Sequence, residues 1–65
     1  MIYWLTEVEN EDGEWIRCVV RASSERQANF LARQHYRQEM EVWDVNSTEF
    51  NQFEHGDIAD YKILN

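Results

Sequence analysis

A chain of 65 residues has room for one domain, and a domain of this size buries only about 60% of its unfolded surface, which leaves little material to wall a deep substrate pocket. The apolar content of 43% is enough for one hydrophobic core and excludes a disordered chain, despite a net charge of −7. We therefore expect a single compact, acidic, non-enzymatic domain over residues 1–65.

The charged residues fall into three blocks. Residues 1–14 hold five acids and no base, residues 15–37 hold five arginines and one acid, and residues 38–65 hold seven acids and one lysine. A small fold cannot hide such segregation, so we expect a wide negative surface with one positive stripe. The negative field disfavours direct nucleic-acid binding and favours a basic partner.

Nothing in the sequence predicts export or membrane insertion. The N-terminus lacks a basic region and reaches an acid at Glu7, and no apolar run approaches the roughly 18 residues of a membrane span. Cys18 is the single cysteine, so no internal disulfide can form. We expect a cytoplasmic protein.

Segments 2–9 and 14–22 are rich in β-branched and aromatic residues and flank Asn10-Glu11-Asp12-Gly13, which predicts a β-hairpin. A three-residue turn with Gly13 in the left-handed conformation pairs Asn10 with Glu14. A two-residue turn would mix acids into the apolar face, so we favour the three-residue turn. Its register pairs Ile2 with Ala22, Trp4 with Val20, Thr6 with Cys18 and Val8 with Ile16 on one face, and Glu7 with Arg17 and Tyr3 with Arg21 on the other.

Ser24-Glu25-Arg26-Gln27 has the form of a capping box and predicts the start of a helix of about four turns, ending at Glu39 or Met40. The acid Glu25 lies in the first turn, where the helix dipole favours negative charge. One side of this helix gathers the residues expected to face the sheet: Ala28, Leu31, Ala32, His35 and Tyr36.

The rest of the chain predicts two strands and a short helix. Residues 41–45 predict a third strand, and Asn46-Ser47-Thr48-Glu49 has the form of a second capping box before Phe50, Phe53 and Gly56. This favours a two-turn helix over 47–55, with an irregular loop as the alternative. Residues 58–64 predict a closing strand with Ala59, Tyr61 and Ile63 on one face. The predicted fold is α+β, of order β-β-α-β-(short α)-β, with one main helix packed in two layers on a mostly antiparallel four-stranded sheet.

Three arginines and a phenylalanine lie on the main helix opposite its apolar side. We call this set the arginine stripe: Arg26, Phe30, Arg33 and Arg37. None of these arginines has an acid three or four residues before it, so local helix pairing does not explain the pattern. The stripe is a candidate docking surface for an acidic protein or for RNA. The alternatives are a solvated helix face and a stripe covered by an element that supplies carboxylates.

Carboxylates crowd the predicted hairpin tip at Glu7, Glu9, Glu11, Asp12 and Glu14. Such charge can serve solubility alone. The functional alternative is mimicry of a nucleic-acid backbone, in which the carboxylates take the place of phosphates in the basic groove of a partner protein. We treat these five residues as a candidate partner-binding surface.

Few groups suggest catalysis or metal binding. Glu54, His55 and Asp57 bring together one imidazole and two carboxylates, a weak pattern for a divalent metal without a second ligating motif. His35 and Cys18 fall on faces predicted to be buried, so we expect a hydrogen-bonded core histidine and an unreactive thiol. The sequence contains no nucleophile and base pair, phosphate-binding glycine loop or zinc spacing. We expect no catalytic residues, no metal and no cofactor.

The sheet face away from the main helix carries Tyr3, Leu5, Trp15 and Val19 in the favoured register. One helix cannot cover both faces of a sheet, and an exposed apolar patch of this size usually marks an interface. We therefore predict that these residues form a homodimer interface or dock another protein. The alternative is that segment 50–53 folds over them.

In size, charge and expected architecture, the chain resembles small acidic proteins of phages and mobile elements, such as anti-CRISPR proteins and uracil-DNA glycosylase inhibitors. This resemblance implies a compact protein that binds a host protein, and it assigns no individual residue. The leading hypothesis is a non-enzymatic module that inhibits or regulates a nucleic-acid-processing protein. The alternatives are a dimeric structural or housekeeping domain and an RNA-contacting module that uses the arginine stripe.

Overall fold

The computed structural model describes residues 1–65, and its first two strands form the predicted hairpin. β1 (Ile2–Asn10) and β2 (Trp15–Ala22) are antiparallel, and their register is the predicted one along its whole length. Gly13 has φ 78°, a left-handed conformation that favours glycine, and Asn10 N–H donates to Glu14 C=O at 3.0 Å. The Asn10 side chain closes the turn, because its Oδ1 accepts from the N–H groups of Asp12 and Glu14. The three-residue turn is confirmed.

Helix α1 (Glu25–Tyr36) begins where the capping box predicts, and Ser24 Oγ accepts from Gln27 N–H at 3.1 Å. It ends at Tyr36 rather than at Glu39 or Met40. The N–H groups of both later residues donate to Tyr36 C=O, so residues 37–39 form a turn that returns the chain to the sheet. The predicted apolar side is confirmed: Ala28, Ala32 and Tyr36 are buried, and Leu31 and His35 are partly buried.

The third strand is longer than predicted. β3 (Val42–Glu49) pairs antiparallel with β1, so residues 46–49 continue the strand instead of capping a helix. Ser47 is buried opposite Thr6, and their hydroxyl oxygens lie 2.7 Å apart, so this long-range pairing overrides the local capping signal. A bulge opposite the Glu9 to Asn10 step leaves Trp43 without a partner in the ladder.

Helix α2 (Gln52–His55) is a single turn rather than two. Its N-cap is Asn51, whose Oδ1 accepts from Phe53 N–H, and its C-cap is Gly56, with φ 86°. The predicted strand over 58–64 is wrong for most of its length, because residues 58–60 form a 3₁₀ turn. Only β4 (Ile63–Leu64) joins the sheet, parallel to β2, and Leu64 rather than Ile63 enters the core.

The four strands form one mixed sheet in the order β3-β1-β2-β4, and α1 packs on one of its faces. The predicted two-layer α+β architecture with a mostly antiparallel sheet is confirmed. The core between the sheet and α1 consists of Val8, Cys18, Val20, Ala22, Ala28, Ala32, Tyr36, Val45 and Leu64.

The topology carries segment 50–62 across the other face of the sheet. β3 and β4 lie at opposite edges and both run parallel to β2, so the chain between them must pass over β1 and β2. The connection from β2 through α1 to β3 crosses in the opposite direction. Because such crossovers are right-handed in about 98% of cases, the two connections belong on opposite faces. Leu5 and Val19, cross-strand partners on the outer face, are accordingly buried.

Candidate binding surfaces

The outer face of the sheet has a covered half and an open half. Segment 50–62 is fixed to the sheet at both ends, since Phe50 N–H donates to Tyr3 C=O and Val19 N–H donates to the carbonyl that precedes β4. Leu5 and Val19 are 5% and 0% exposed, whereas Tyr3 and Trp15 are 41% and 47% exposed. The predicted exposed patch of four residues is therefore wrong, because the chain after β3 covers its two central members.

The hairpin end of the molecule carries six carboxylates, which we call the acidic end. Four belong to the hairpin, one lies just before β3, and one lies near the start of β3, which pairs with β1. Asp44 lies opposite Glu9, and Glu11 Oε2 accepts from Glu41 N–H at 2.9 Å. Sequence patterns did not place Glu41 and Asp44 here, because no local signal reveals which strand lies beside β1. The acidic end comprises Glu9, Glu11, Asp12, Glu14, Glu41 and Asp44.

Two tryptophans flank the acidic end. Trp15 lies opposite Glu9, and Trp43 lies in the β3 bulge next to Asp44 and is 60% exposed. Large aromatic side chains are enriched among the residues that contribute most to binding at interfaces. The sequence predicts Trp15 as a binding residue, and the bulge adds Trp43.

Very few charges are paired within the chain. Among 13 acids and six Lys or Arg residues, a single ion pair forms, between Arg17 Nε and Glu7 Oε2 at 3.2 Å. Arg17, the predicted cross-strand partner of Glu7, thus partly neutralises its charge. The other four predicted hairpin acids form no ion pair. The remaining contact joins the imidazole of His55 to Glu54 at 3.9 Å. The charge segregation of the sequence is therefore retained on the folded surface.

The arginine stripe is exposed along α1. Phe30 is 61% exposed between its arginines, and Arg26, Arg33 and Arg37 are exposed on either side of it. No ion pair reaches these arginines, so the alternative of a covering element that supplies carboxylates is excluded. The stripe lies on the helical layer, away from the outer face of the sheet.

Burial holds the side chains of Cys18 and Tyr36 neutral. Burial raises the pKa of the Cys18 thiol to about 11, and a hydrogen bond with Tyr36 offsets part of this rise. Burial also raises the pKa of Tyr36 to about 12, and the neighbouring thiol adds to the effect. His35 differs from expectation, because its Nε2 is buried without a hydrogen-bond partner, while its ring meets the Tyr36 ring edge-on at 4.8 Å.

The side chains around His55 serve the local backbone. His55 Nδ1 accepts from Asn51 N–H at 3.0 Å, and Asp57 Oδ1 accepts from Ala59 N–H at 2.9 Å. No group of three or more His, Cys, Asp or Glu side chains is placed to hold a metal ion.

No helix of the fold combines the length and hydrophobicity of a membrane-spanning segment. Comparison with models of protein families, with curated proteins and with solved structures gives no match. The exposed surfaces themselves are therefore the basis for assigning a function.

Proposed function

We propose that the protein is a non-enzymatic binding module that recognises a basic, nucleic-acid-processing protein through its acidic end and thereby inhibits or regulates it. One observation carries this proposal. Six carboxylates from the hairpin and β3 lie beside two exposed tryptophans, and none of the six forms an ion pair with Lys or Arg. Charges that are left unpaired within a chain are free to pair with a partner.

A requirement for solubility alone favours a different surface. Acids and bases that are interspersed satisfy that requirement without large fields of one sign. In this chain three of the five arginines lie along α1, and six of the 13 acids lie at the hairpin end. Glu9 and Asp44 even lie directly opposite each other, an arrangement of like charges that destabilises a sheet. Such a cost to stability is expected where the charge has a function.

The two kinds of side chain at the acidic end have complementary roles. A nucleic-acid-binding protein presents Lys and Arg where phosphates lie, and carboxylates placed there speed the encounter. Trp15 and Trp43 supply apolar contact area, which contributes more to the lifetime of a complex than rim charges do. In the proposed complex, the carboxylates therefore set the association rate and the indoles limit dissociation.

A capture experiment with matched charge reversals tests this proposal. The acidic variant carries Asp12→Lys and Glu41→Lys, because both residues are exposed and neither side chain makes a hydrogen bond. The basic variant carries Arg33→Glu and Arg37→Glu, which changes the net charge equally in the opposite direction. We expect wild type and the basic variant to retain the same protein from cell extract, and the acidic variant to lose it.

Added nucleic acid provides the control for mimicry. Duplex DNA or RNA should displace the retained protein from the wild type, since both occupy one basic groove in this proposal. Retention that survives the two lysine substitutions, or a partner that shows no competition with nucleic acid, contradicts the proposed role.

The exposed arginine stripe supports a second candidate function, the binding of RNA or of an acidic protein. Phe30 between unpaired guanidinium groups offers stacking and charge together. This function predicts the reverse outcome, in which the basic variant loses its partner. The dimeric housekeeping alternative has less support, because Leu5 and Val19 of the predicted dimer patch are buried within the chain.

A further inference from the structure

Phe53 is the most exposed of the large hydrophobic residues, at 91%, yet hydrogen bonds hold its backbone. Asn51 Oδ1 accepts from Phe53 N–H at 2.9 Å, and His55 Nδ1 accepts in turn from Asn51 N–H. The Tyr61 hydroxyl donates to His55 C=O at 2.6 Å and ties this turn to the segment that follows. Because the backbone that presents the ring is already ordered, little backbone entropy is lost there on binding.

Open hollows lie beside Phe53. The larger, of about 760 Å³, is lined by Tyr3, Phe50, Phe53 and Ile58, with Asp57 at its rim. A smaller one, of about 490 Å³, lies against Glu49 and Phe53. They share Phe50 and Phe53 and form one groove that is apolar in the larger hollow and more polar in the smaller. The groove lies near the start of β1, roughly 25 Å along the strand from the hairpin turn at about 3.3 Å per residue. The groove is therefore separate from the acidic end.

The free edge of β3 runs into this groove. Phe50 N–H donates to Tyr3 C=O, which shows that Phe50 directs its main-chain groups toward β1. Because successive residues of an antiparallel strand direct these groups to opposite sides, those of Val45, Ser47 and Glu49 point away from β1. Asp44 Oδ1 already accepts from Val45 N–H at 2.9 Å, which blocks that end of the edge. The main-chain groups of Ser47 and Glu49 remain open to an added strand.

The residues that line the two hollows include the carboxylates Asp57 and Glu49 and no Lys or Arg, while Arg21 lies opposite Tyr3 on the neighbouring strand. Residues 49–60 contain four acids and no Lys or Arg. The only ionic contact among these acids is between Glu54 and His55, at 3.9 Å. An occupant that carries positive charge is therefore complementary to these carboxylates. The arginine stripe of a second copy lies along a helix, which cannot pair with the edge of β3.

We infer that the Phe53 groove binds an extended, cationic segment of a partner protein, which pairs with the edge of β3 at Ser47 and Glu49. One apolar side chain of that segment packs against Phe53, and Lys or Arg residues on either side of it meet the carboxylates of the rim. This surface is independent of the acidic end, and either binding surface can exist without the other.

Selection from a library of short random peptides displayed on phage tests the inference directly. We expect the immobilised wild type to select peptides in which Lys or Arg flank an apolar residue. Phe53→Ser should weaken the binding of a selected peptide by about tenfold or more, as loss of an aromatic anchor does. Phe30→Ser is the matched control, because it removes the other strongly exposed phenylalanine, on α1, and should leave binding unchanged.

Nuclear magnetic resonance with a selected peptide locates the site. Amide shifts should change at Ser47, Glu49 and Phe53 and stay constant at the hairpin turn. Glu49→Lys, which reverses a charge that lines the smaller hollow without removing the ring, should weaken binding as well. The inference would be overturned if no peptides or only acidic peptides were selected. It would also be overturned if Phe53→Ser bound the peptide as tightly as wild type, or if the shifts were confined to the hairpin. Sedimentation showing that the wild type self-associates and that Phe53→Ser does not would overturn it too, because the occupant would then be a second copy.

Discussion

Cys18 on β2 and Tyr36 on α1 form a buried pair of ionisable groups. Both are almost inaccessible to water, at 0% and 6% exposure. Their pKa values rise from 9.0 to about 11 for the thiol and from 10.0 to about 12 for the phenol, chiefly through burial. Because the fold favours the protonated forms, their contribution to stability is complete below about pH 9 and is lost as the pH rises toward 11 and 12.

The free energy of unfolding should therefore fall as the pH rises above about 9. Cys18→Ala removes the titration of the thiol, so the stability difference between wild type and Cys18→Ala should shrink by roughly 1–2 kcal/mol between neutral pH and the thiol's raised pKa. Urea unfolding followed by tryptophan fluorescence measures this difference at each pH. A difference that does not vary with pH contradicts a buried, neutral thiol.

A second buried contact links three elements through hydroxyl groups. Ser47 Oγ on β3 donates to Asn29 Oδ1 on α1 at 2.5 Å, and it lies 2.7 Å from Thr6 Oγ1 on β1. A serine hydroxyl has one proton, so Thr6 must be the donor to Ser47. Ser47 therefore connects both strands to the helix.

Ser47→Ala should destabilise the fold by about 1–3 kcal/mol, because it leaves the buried Thr6 hydroxyl without a partner. Thr6→Val has a similar shape and removes that orphaned hydroxyl. The double variant should consequently be more stable than the sum of the two single changes predicts. Chemical unfolding of all four proteins measures the coupling, and strict additivity would show that the contact contributes nothing.

The hairpin turn and the start of α1 form as predicted because their sequence signals lie within the element itself. The turn at Gly13 and the cap at Ser24 use neighbouring side chains, and both formed as predicted. The second capping box, Asn46-Ser47-Thr48-Glu49, misled, because these residues belong to β3 and Ser47 bonds to Thr6, 41 residues away. The length of the last strand was overestimated. Pairing with β2 determines which of its residues join the sheet, and no local pattern in the sequence identifies β2 as the neighbour.

Segment 50–62 contains one partly buried and one exposed phenylalanine, and comparing them tests whether the segment covers the outer face of the sheet. Phe50 is partly buried, with its ring centre 5.8 Å from that of Tyr61, whereas Phe53 in the same segment is exposed. Phe50→Ala should lower the free energy of unfolding by about 2 kcal/mol, somewhat less than a fully buried phenylalanine. Phe53→Ala should change it by less than about 0.5 kcal/mol. Equal effects in thermal unfolding would show that the segment does not cover the sheet in this way.

For the whole molecule, the three charge blocks predict that acids and arginines separate, and the folded surface retains this separation. The composition of the binding surfaces depends on topology. Pairing of β3 with β1 adds Glu41, Asp44 and Trp43 to the acidic end, and the crossing segment removes Leu5 and Val19 from the surface. Sequence patterns predict that the folded surface has acidic and basic regions, and the strand order determines which residues lie in each region.

Association kinetics with the captured partner, at two ionic strengths, test whether the acidic end binds a basic protein. Steering charges act mainly on the association rate, and salt screens them. The variant with Asp12→Lys and Glu41→Lys should associate about tenfold more slowly than wild type at low salt and should show a flatter salt dependence. The variant with Arg33→Glu and Arg37→Glu should associate at least as fast as wild type. Equal rates for all three folded proteins, or slow association confined to the arginine variant, would contradict binding by the acidic end.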